Sequence, residues 1–273
     1  MTKAGENLAL GVIGGGVMAE AIVSCLIAHK IYNANSILIS EPHSPRREFW
    51  QHKYKVQVTA DNLAVMKAET VLLAIKPQIF QAVVDGLDLA SHSDLCPLII
   101  SILAGVTLNR LQTAFAECPV VRVMPNTPAT VGEAMSAIAF AQDVTSEQAE
   151  TANKIFAAVG EVVTVPEYLM DGVTGLSGSG PAYVALMVEA LADGGVAAGL
   201  PRAIAQKLAI QTVLGTAKLL QESGMHPAEL KDRVSSPGGT TIAGVTALEK
   251  RGFRAAAIEA VKASCDRSKE LGN

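Results

Sequence analysis

A chain of 273 residues has room for two modest domains with real cores, and 49% hydrophobic against 18% charged residues leaves no composition for a disordered tail. Its net charge of −4 gives no electrostatic reason to expect nucleic acid or an anionic membrane as partner. The aromatic share of 4%, beside many Ala, Val, Leu and Gly, suits close-packed helices and a parallel sheet better than an all-β core.

In chain order, the polar start Met1–Asn7 runs straight into a strand without the apolar stretch of a signal peptide. Short β-branched runs then alternate with amphipathic stretches. Leu8–Ile13, Ser36–Ser40, Thr70–Ile75, Leu98–Leu103 and Val120–Met124 read as parallel strands, and Met18–His29, Arg46–Lys53, Ile79–Leu87 and Leu108–Ala116 as the helices between them. Ala137–Ala141 and Val162–Val165 read as later strands flanking a helix at Ser146–Val159. This is the rhythm of a doubly wound α/β domain.

After Pro166 the strand signals stop. Tyr168–Leu176, Pro181–Ala198, Arg202–Glu222, Pro227–Val234, Thr240–Lys250 and Phe253–Lys269 read as helices, which predicts two domains, residues 1–166 and 167–273. The apolar segment Pro181–Leu200 carries Glu189 and Asp193, so it reads as a helix between protein surfaces rather than a membrane span, which favours an oligomer. Cys25, Cys96, Cys118 and Cys265 are scattered, with no CxxC pair or neighbouring His. Neither a disulfide framework nor a metal site is expected, and the expected location is cytoplasmic.

Leu8 to Ile22 reads as a buried strand, a glycine turn and a helix start. Gly14 permits the tight turn, Gly16 lets the backbone approach a pyrophosphate, and Ala19 lets the helix pack close to the strand. The loop Gly14, Gly15, Gly16, Val17 and Met18 is therefore the candidate dinucleotide site of a Rossmann-like doubly wound domain. Glu41 lies 22 positions past Ala19, near the separation expected of a ribose-binding acid, amid Ser40, Ser44, Arg46 and Arg47. Those neighbours read equally well as a helix start, with Ser44 as cap and Pro45 as first residue. Ala74, Ile75, Lys76 and Pro77, and the turn containing Asn126, follow strands whose ends should face the same crevice. Each is also an ordinary proline-marked turn.

Ser235-Ser236-Pro237-Gly238-Gly239 stands directly before the helix at Thr240. Pro237 fixes a backbone angle, the glycines adopt conformations closed to other residues, and the helix start offers free N–H groups. Such a turn suits a small carboxylate. The alternative is that Ser235, Ser236 and Thr240 only cap the helix.

The run from Leu230 through Val234-Ser235-Ser236-Pro237-Gly238-Gly239-Thr240-Thr241 to Ala243-Gly244 resembles the diagnostic motif of pyrroline-5-carboxylate reductases. The glycine loop, Ala74–Gln78, Arg122–Pro128 and Gly178–Tyr183 match the same family in order, so the resemblance covers nearly the whole chain. It implies reduction of L-1-pyrroline-5-carboxylate to L-proline, with hydride passing from nicotinamide C4 to the imine carbon C5. It also implies a C-terminal all-α domain that dimerises and dimers assembled into a decamer. NADPH is the implied cofactor, with NADH usable, and Ser40 is implied to lie beside the adenosine phosphate. The N–H groups of Gly238, Gly239 and Thr240 would take the substrate carboxylate and the Thr241 hydroxyl the ring nitrogen, with Ser236 a further substrate-binding residue. Val17 departs from the family, which carries Asn or Gln there. Lys207 and Gln211, four apart, imitate the Lys-x3-Asn pair of β-hydroxyacid dehydrogenases, and a non-catalytic NADP(H) sensor is the reading from another class.

Overall fold

The computed structural model describes residues 8–92, 95–116 and 118–272; the polar start expected at Met1–Asn7 lies outside them. By packing, the chain divides into two compact units, residues 1–178 with 264–273, and residues 179–263.

The first unit is built on one eight-stranded sheet of order β3-β2-β1-β4-β5-β6-β7-β8. The strands are β1 (Leu10–Ile13), β2 (Ile37–Ser40), β3 (Gln57–Thr59), β4 (Thr70–Leu73), β5 (Leu98–Ser101), β6 (Val120–Met124), β7 (Ala134–Phe140) and β8 (Gly160–Thr164). Every neighbouring pair is parallel except β6 and β7. A crossover needs a dozen residues or more, and residues 125–133 are too few, so β7 returns beside β6 antiparallel.

Strands buried on both faces explain the unbroken apolar runs of β1, β4 and β5. On one face Leu10, Val12 and Leu72 pack with α1 (Val17–Ala28), α2 (Ser44–Tyr54) and α6 (Ser146–Ala157) through Ile22, Leu26, Trp50, Ile155 and Phe156. On the other, Ile13, Val71 and Leu73 pack with α3 (Asn62–Val65), α4 (Phe80–Asp85), α5 (Leu108–Ala114) and α7 (Met170–Val173) through Val65, Phe80, Leu111 and Met170. The doubly wound α/β reading holds.

The helix expected over Tyr168–Leu176 is broken into a 3₁₀ turn at Glu167–Leu169, α7, and a π-helical turn at Thr174–Gly178. Thr174 Oγ1 and Ser177 Oγ donate to the carbonyls of Met170 and Val173, and such back-bonding competes with the regular helix ladder. The end of the chain belongs to this unit as well, with Ser268 Oγ donating to Asp171 at 2.7 Å.

The second unit contains α8 (Gly180–Ala197), α9 (Arg202–Ser223), α10 (Pro227–Arg233), α11 (Thr240–Lys250) and the first half of α12 (Phe253–Gly272). Helices α8 and α9 meet along Ala192, Ala205 and Ala209, the buried hydrophobic residues of this unit among those described. A Cβ on Gly195 would stand 3.0 Å from Ala205 Cβ, so the glycine sets how closely the pair approaches. Leu186, Ile204, Leu208 and Leu214 are at least half exposed. Among the described residues, no helix is long and apolar enough to cross a membrane.

Candidate functional site

The strand order reverses between β1 and β4, and the carboxyl ends of such strands form the ligand crevice of open α/β sheets. Both expected loops lie there. Gly14 takes φ +98°, and a Cβ on it would come within 2.7 Å of the Ala74 carbonyl, so only glycine fits between the β1 and β4 loops. Gly14 N–H donates to the Ser40 carbonyl and Ala74 N–H to that of Ile13, which joins the three strand ends. Gly16 is the N-cap of α1 and supplies no side-chain cap, and nothing lies within 4 Å of where its Cβ would stand. An uncapped helix start facing open space has the free N–H groups that suit a dinucleotide pyrophosphate. Val17, 73% exposed, is at the rim, Met18 is half-buried against the core, and Ala19 is fully buried, as close packing requires.

The Gly15 peptide is held from both sides. Its N–H donates to Glu41 Oε2 at 3.0 Å. Its carbonyl accepts Arg46 Nε at 2.5 Å and the indole N–H of Trp50 at 3.0 Å. Arg46 also reaches the Gly16 carbonyl and Glu20, and its guanidinium lies 4.4 Å above the Phe49 ring. Glu20 accepts Lys53 and Tyr54 as well. Burial works to raise the Glu20 carboxyl, but hydrogen bonds from Arg46, Lys53 and Tyr54 outweigh it and bring the pKa to about 2.

Glu41, read as a ribose acid from its spacing, instead spends its oxygens on Gly15 N–H and on the His43 N–H and ring. Burial pushes this carboxyl up, yet the His43 and Gly15 hydrogen bonds prevail and hold it below the usual range. Ser44 is not the helix cap: His43 is the N-cap, and Ser44 Oγ reaches forward to Glu48. Arg47 donates to the carbonyls of Glu41 and Pro42. Ser40 is buried, with its hydroxyl donating to Asn62 at 2.6 Å.

Around the crevice, Ala74, Ile75 and Pro77 are half-buried, and the exposed Lys76 begins the turn Pro77–Ile79. Asn126 sits at the end of β6 with its side chain engaged: Oδ1 accepts Met135 N–H and Nδ2 donates to the Ser177 carbonyl. It ties β7 to the π-helical turn.

In the second unit, Gly238 takes φ +66° and Gly239 is the N-cap of α11, with no side-chain cap. Gly239 N–H closes the turn onto the Ser236 carbonyl at 3.0 Å. The turn N–H groups left without a partner among the described residues are those of Ser236, Gly238, Thr240 and Thr241. The hydroxyls of Ser236, Thr240 and Thr241 likewise form no hydrogen bond among the described residues, and all three side chains are exposed. Ser235 points back to the Lys231 carbonyl. Helix capping therefore accounts for none of these hydroxyls. His226 does cap, its ring nitrogen accepting Ala228 N–H ahead of α10. Lys207 and Gln211 are exposed on α9, off the alanine seam.

Residues 167–271 match a family model described as pyrroline-5-carboxylate reductase dimerisation, and residues 9–105 one described as NADP oxidoreductase, coenzyme F420-dependent. The pyrroline-5-carboxylate reductase of Synechocystis sp. is 59% identical over 97% of this chain and 99% of its own length. The Arabidopsis thaliana enzyme of that name is 44% identical over 97% and 96%. Among solved structures, a pyrroline-5-carboxylate reductase from Coxiella burnetii superposes with TM-score 0.89 at 35% identity, covering 98% of this chain and all of its own. Plasmodium falciparum pyrroline carboxylate reductase with NADP bound gives 0.87 at 31% identity, covering 98% and 99%.

Proposed function

The chain belongs to the pyrroline-5-carboxylate reductase family, and from that premise we propose how its residues carry the NAD(P)H-dependent reduction of L-1-pyrroline-5-carboxylate to L-proline, the last step of proline synthesis. One observation supports the residue assignment above the others. The chain pairs an uncapped helix start at Gly16 with an uncapped turn before α11 whose hydroxyls are unengaged.

We assign residues 1–166 to dinucleotide binding and 167–273 to substrate binding and dimerisation. Gly14, Gly15, Gly16, Val17 and Met18 would cradle the pyrophosphate, with Ser40 at the adenosine side and Ala74, Ile75, Lys76, Pro77 and Asn126 toward the nicotinamide. The bound cofactor supplies a hydride from nicotinamide C4, which ends on C5 of the imine. The N–H groups of Gly238 and Thr240, with Ser236, would hold the substrate carboxylate at the positive end of α11, while the Gly239 N–H, expected among these donors, is engaged by the Ser236 carbonyl and shapes the turn. The Thr241 hydroxyl would hydrogen-bond the ring nitrogen. No carboxyl or imidazole lies within Ser235–Thr241; the proton on the ring nitrogen, carried by the substrate or delivered through water and Thr241, makes C5 electrophilic. Catalysis on this account is positioning.

The helical half oligomerises and the substrate is a small molecule. We further propose a homodimer through residues 167–273, assembled into a decamer in the cytoplasm. Support for the dimer comes from the exposed leucines of α8 and α9.

The test is oxidation of NADPH, and then NADH, by the purified protein with L-1-pyrroline-5-carboxylate, with the product identified as proline. Turnover with both and a higher kcat/KM for NADPH is expected. A preference for NADH would reverse the cofactor ranking, and no turnover while both cofactors bind would sink the substrate assignment.

A further inference from the structure

Glycine loops are read for what they lack, but here the neighbouring helix supplies something to the loop. Arg46 Nε and Trp50 Nε1, four residues apart on one face of α2, both donate to the Gly15 carbonyl. The Gly15–Gly16 peptide is trans, and in a planar trans peptide the carbonyl and the following N–H point to opposite sides. Holding the carbonyl toward α2 therefore turns the Gly16 N–H away from α2. That N–H has no acceptor among the described residues, and the space over Gly16 is open. On the other side, Glu41 takes the Gly15 N–H and removes it from the set of donors left for a ligand.

The anchor is itself braced. Trp50 is fully buried, and a Cβ on Gly15 would stand 2.7 Å from its indole nitrogen, so indole and loop are in contact. Arg46 is fixed by Glu20 on α1 and by the Phe49 ring beneath it. Its Nε and Nη2 are thus directed at backbone and at a carboxylate, which leaves Nη1 as the nitrogen that a phosphate could meet.

We propose that Arg46 and Trp50 are positioning residues for the cofactor: by holding the Gly15 carbonyl they aim the Gly16 N–H, together with the first-turn N–H groups of α1, at the pyrophosphate. The inference rests on the glycine loop being the dinucleotide site. It assigns Arg46 a role distinct from a partner of the 2′-phosphate, and the two roles separate experimentally, because adenosine 2′-monophosphate carries that phosphate and no pyrophosphate.

Affinities of NADP+ and of adenosine 2′-monophosphate would be measured by calorimetry for the wild-type protein, Arg46→Lys and Trp50→Phe. Arg46→Lys keeps the charge and loses the planar fork. We expect it to weaken NADP+ about tenfold and adenosine 2′-monophosphate less than about twofold, a loss the size of one charge-assisted hydrogen bond. Trp50→Phe is expected to show the same selectivity. Trp50 is the sole tryptophan, so its emission should shift on NADP+ binding in the wild-type protein and shift less in Arg46→Lys. Equal weakening of both ligands by Arg46→Lys would make Arg46 a phosphate partner and overturn the proposal, as would unchanged NADP+ affinity. If Trp50→Phe does not fold, Arg46→Lys decides alone. Failure of the wild-type protein to bind NADP+ would instead strike the cofactor assignment on which the proposal stands.

Discussion

Glu20 faces two cations, Arg46 and Lys53, and its effect on stability has a definite sign. Its carboxyl is at about 2 in the folded chain and ordinary once unfolded, so its contribution is fully present above about pH 4.5 and is lost as pH falls toward 2. Glu20→Gln removes that term. The melting temperature of the variant should lie below wild type by on the order of 3 °C at neutral pH, and the gap should close on acidification; a gap independent of pH would show that the ion pairs with Arg46 and Lys53 contribute nothing. At this scale the sequence was readable where a residue answers a local need. Gly14 is required by its own φ, and Ala19 by its own helix contact. Glu41 shows the limit, because spacing placed it at the end of β2 but could not tell that Gly15 N–H and His43 would claim its oxygens. Arg46 and Trp50 sit one helical turn apart on the chain, a hint of a shared face. Their common acceptor, Gly15, is more than 30 residues earlier, and nothing local announces it.

Elements with several turns or a strong apolar run were legible. Strand β6 spans Val120–Met124 and α11 spans Thr240–Lys250, both as expected, and the remaining long helices begin and end within a few residues of their expected bounds. What escaped was short. Strand β3 is three residues at a sheet edge, and α3 is a single turn started by Asp61, too brief for either to show a period. The π-helical turn at Thr174–Gly178 was hidden because its cause, hydroxyls bonding back into the helix, leaves the apolar pattern intact. Helix α11 carries the clearest element-scale prediction. Its first-turn N–H groups are backbone and survive any side-chain change, whereas the Thr241 hydroxyl does not. Thr241→Ala should lower kcat about tenfold, the value of one hydrogen bond made in the transition state, while leaving NADP+ affinity and the helix content unchanged. Unaltered kcat would remove Thr241 from the reaction.

At the scale of the molecule, the two units differ in how they are stabilised. The sheet unit has two large cores, one on each face. The helical unit buries three alanines among its hydrophobic residues and leaves long aliphatic side chains of α8 and α9 exposed, which predicts that its stability depends on association. Thermal unfolding should then depend on protein concentration: each tenfold dilution removes about 1.4 kcal/mol per mole of dimer and lowers the melting temperature by a few degrees, whereas a concentration-independent transition would count against an obligate interface. The alanine seam also has a kinetic consequence. A chain released from denaturant can close the alanine seam within itself, but the exposed aliphatic side chains of α8 and α9 are covered only on meeting another chain, so the last phase of refolding is expected to be second order, its half-time lengthening as the solution is thinned.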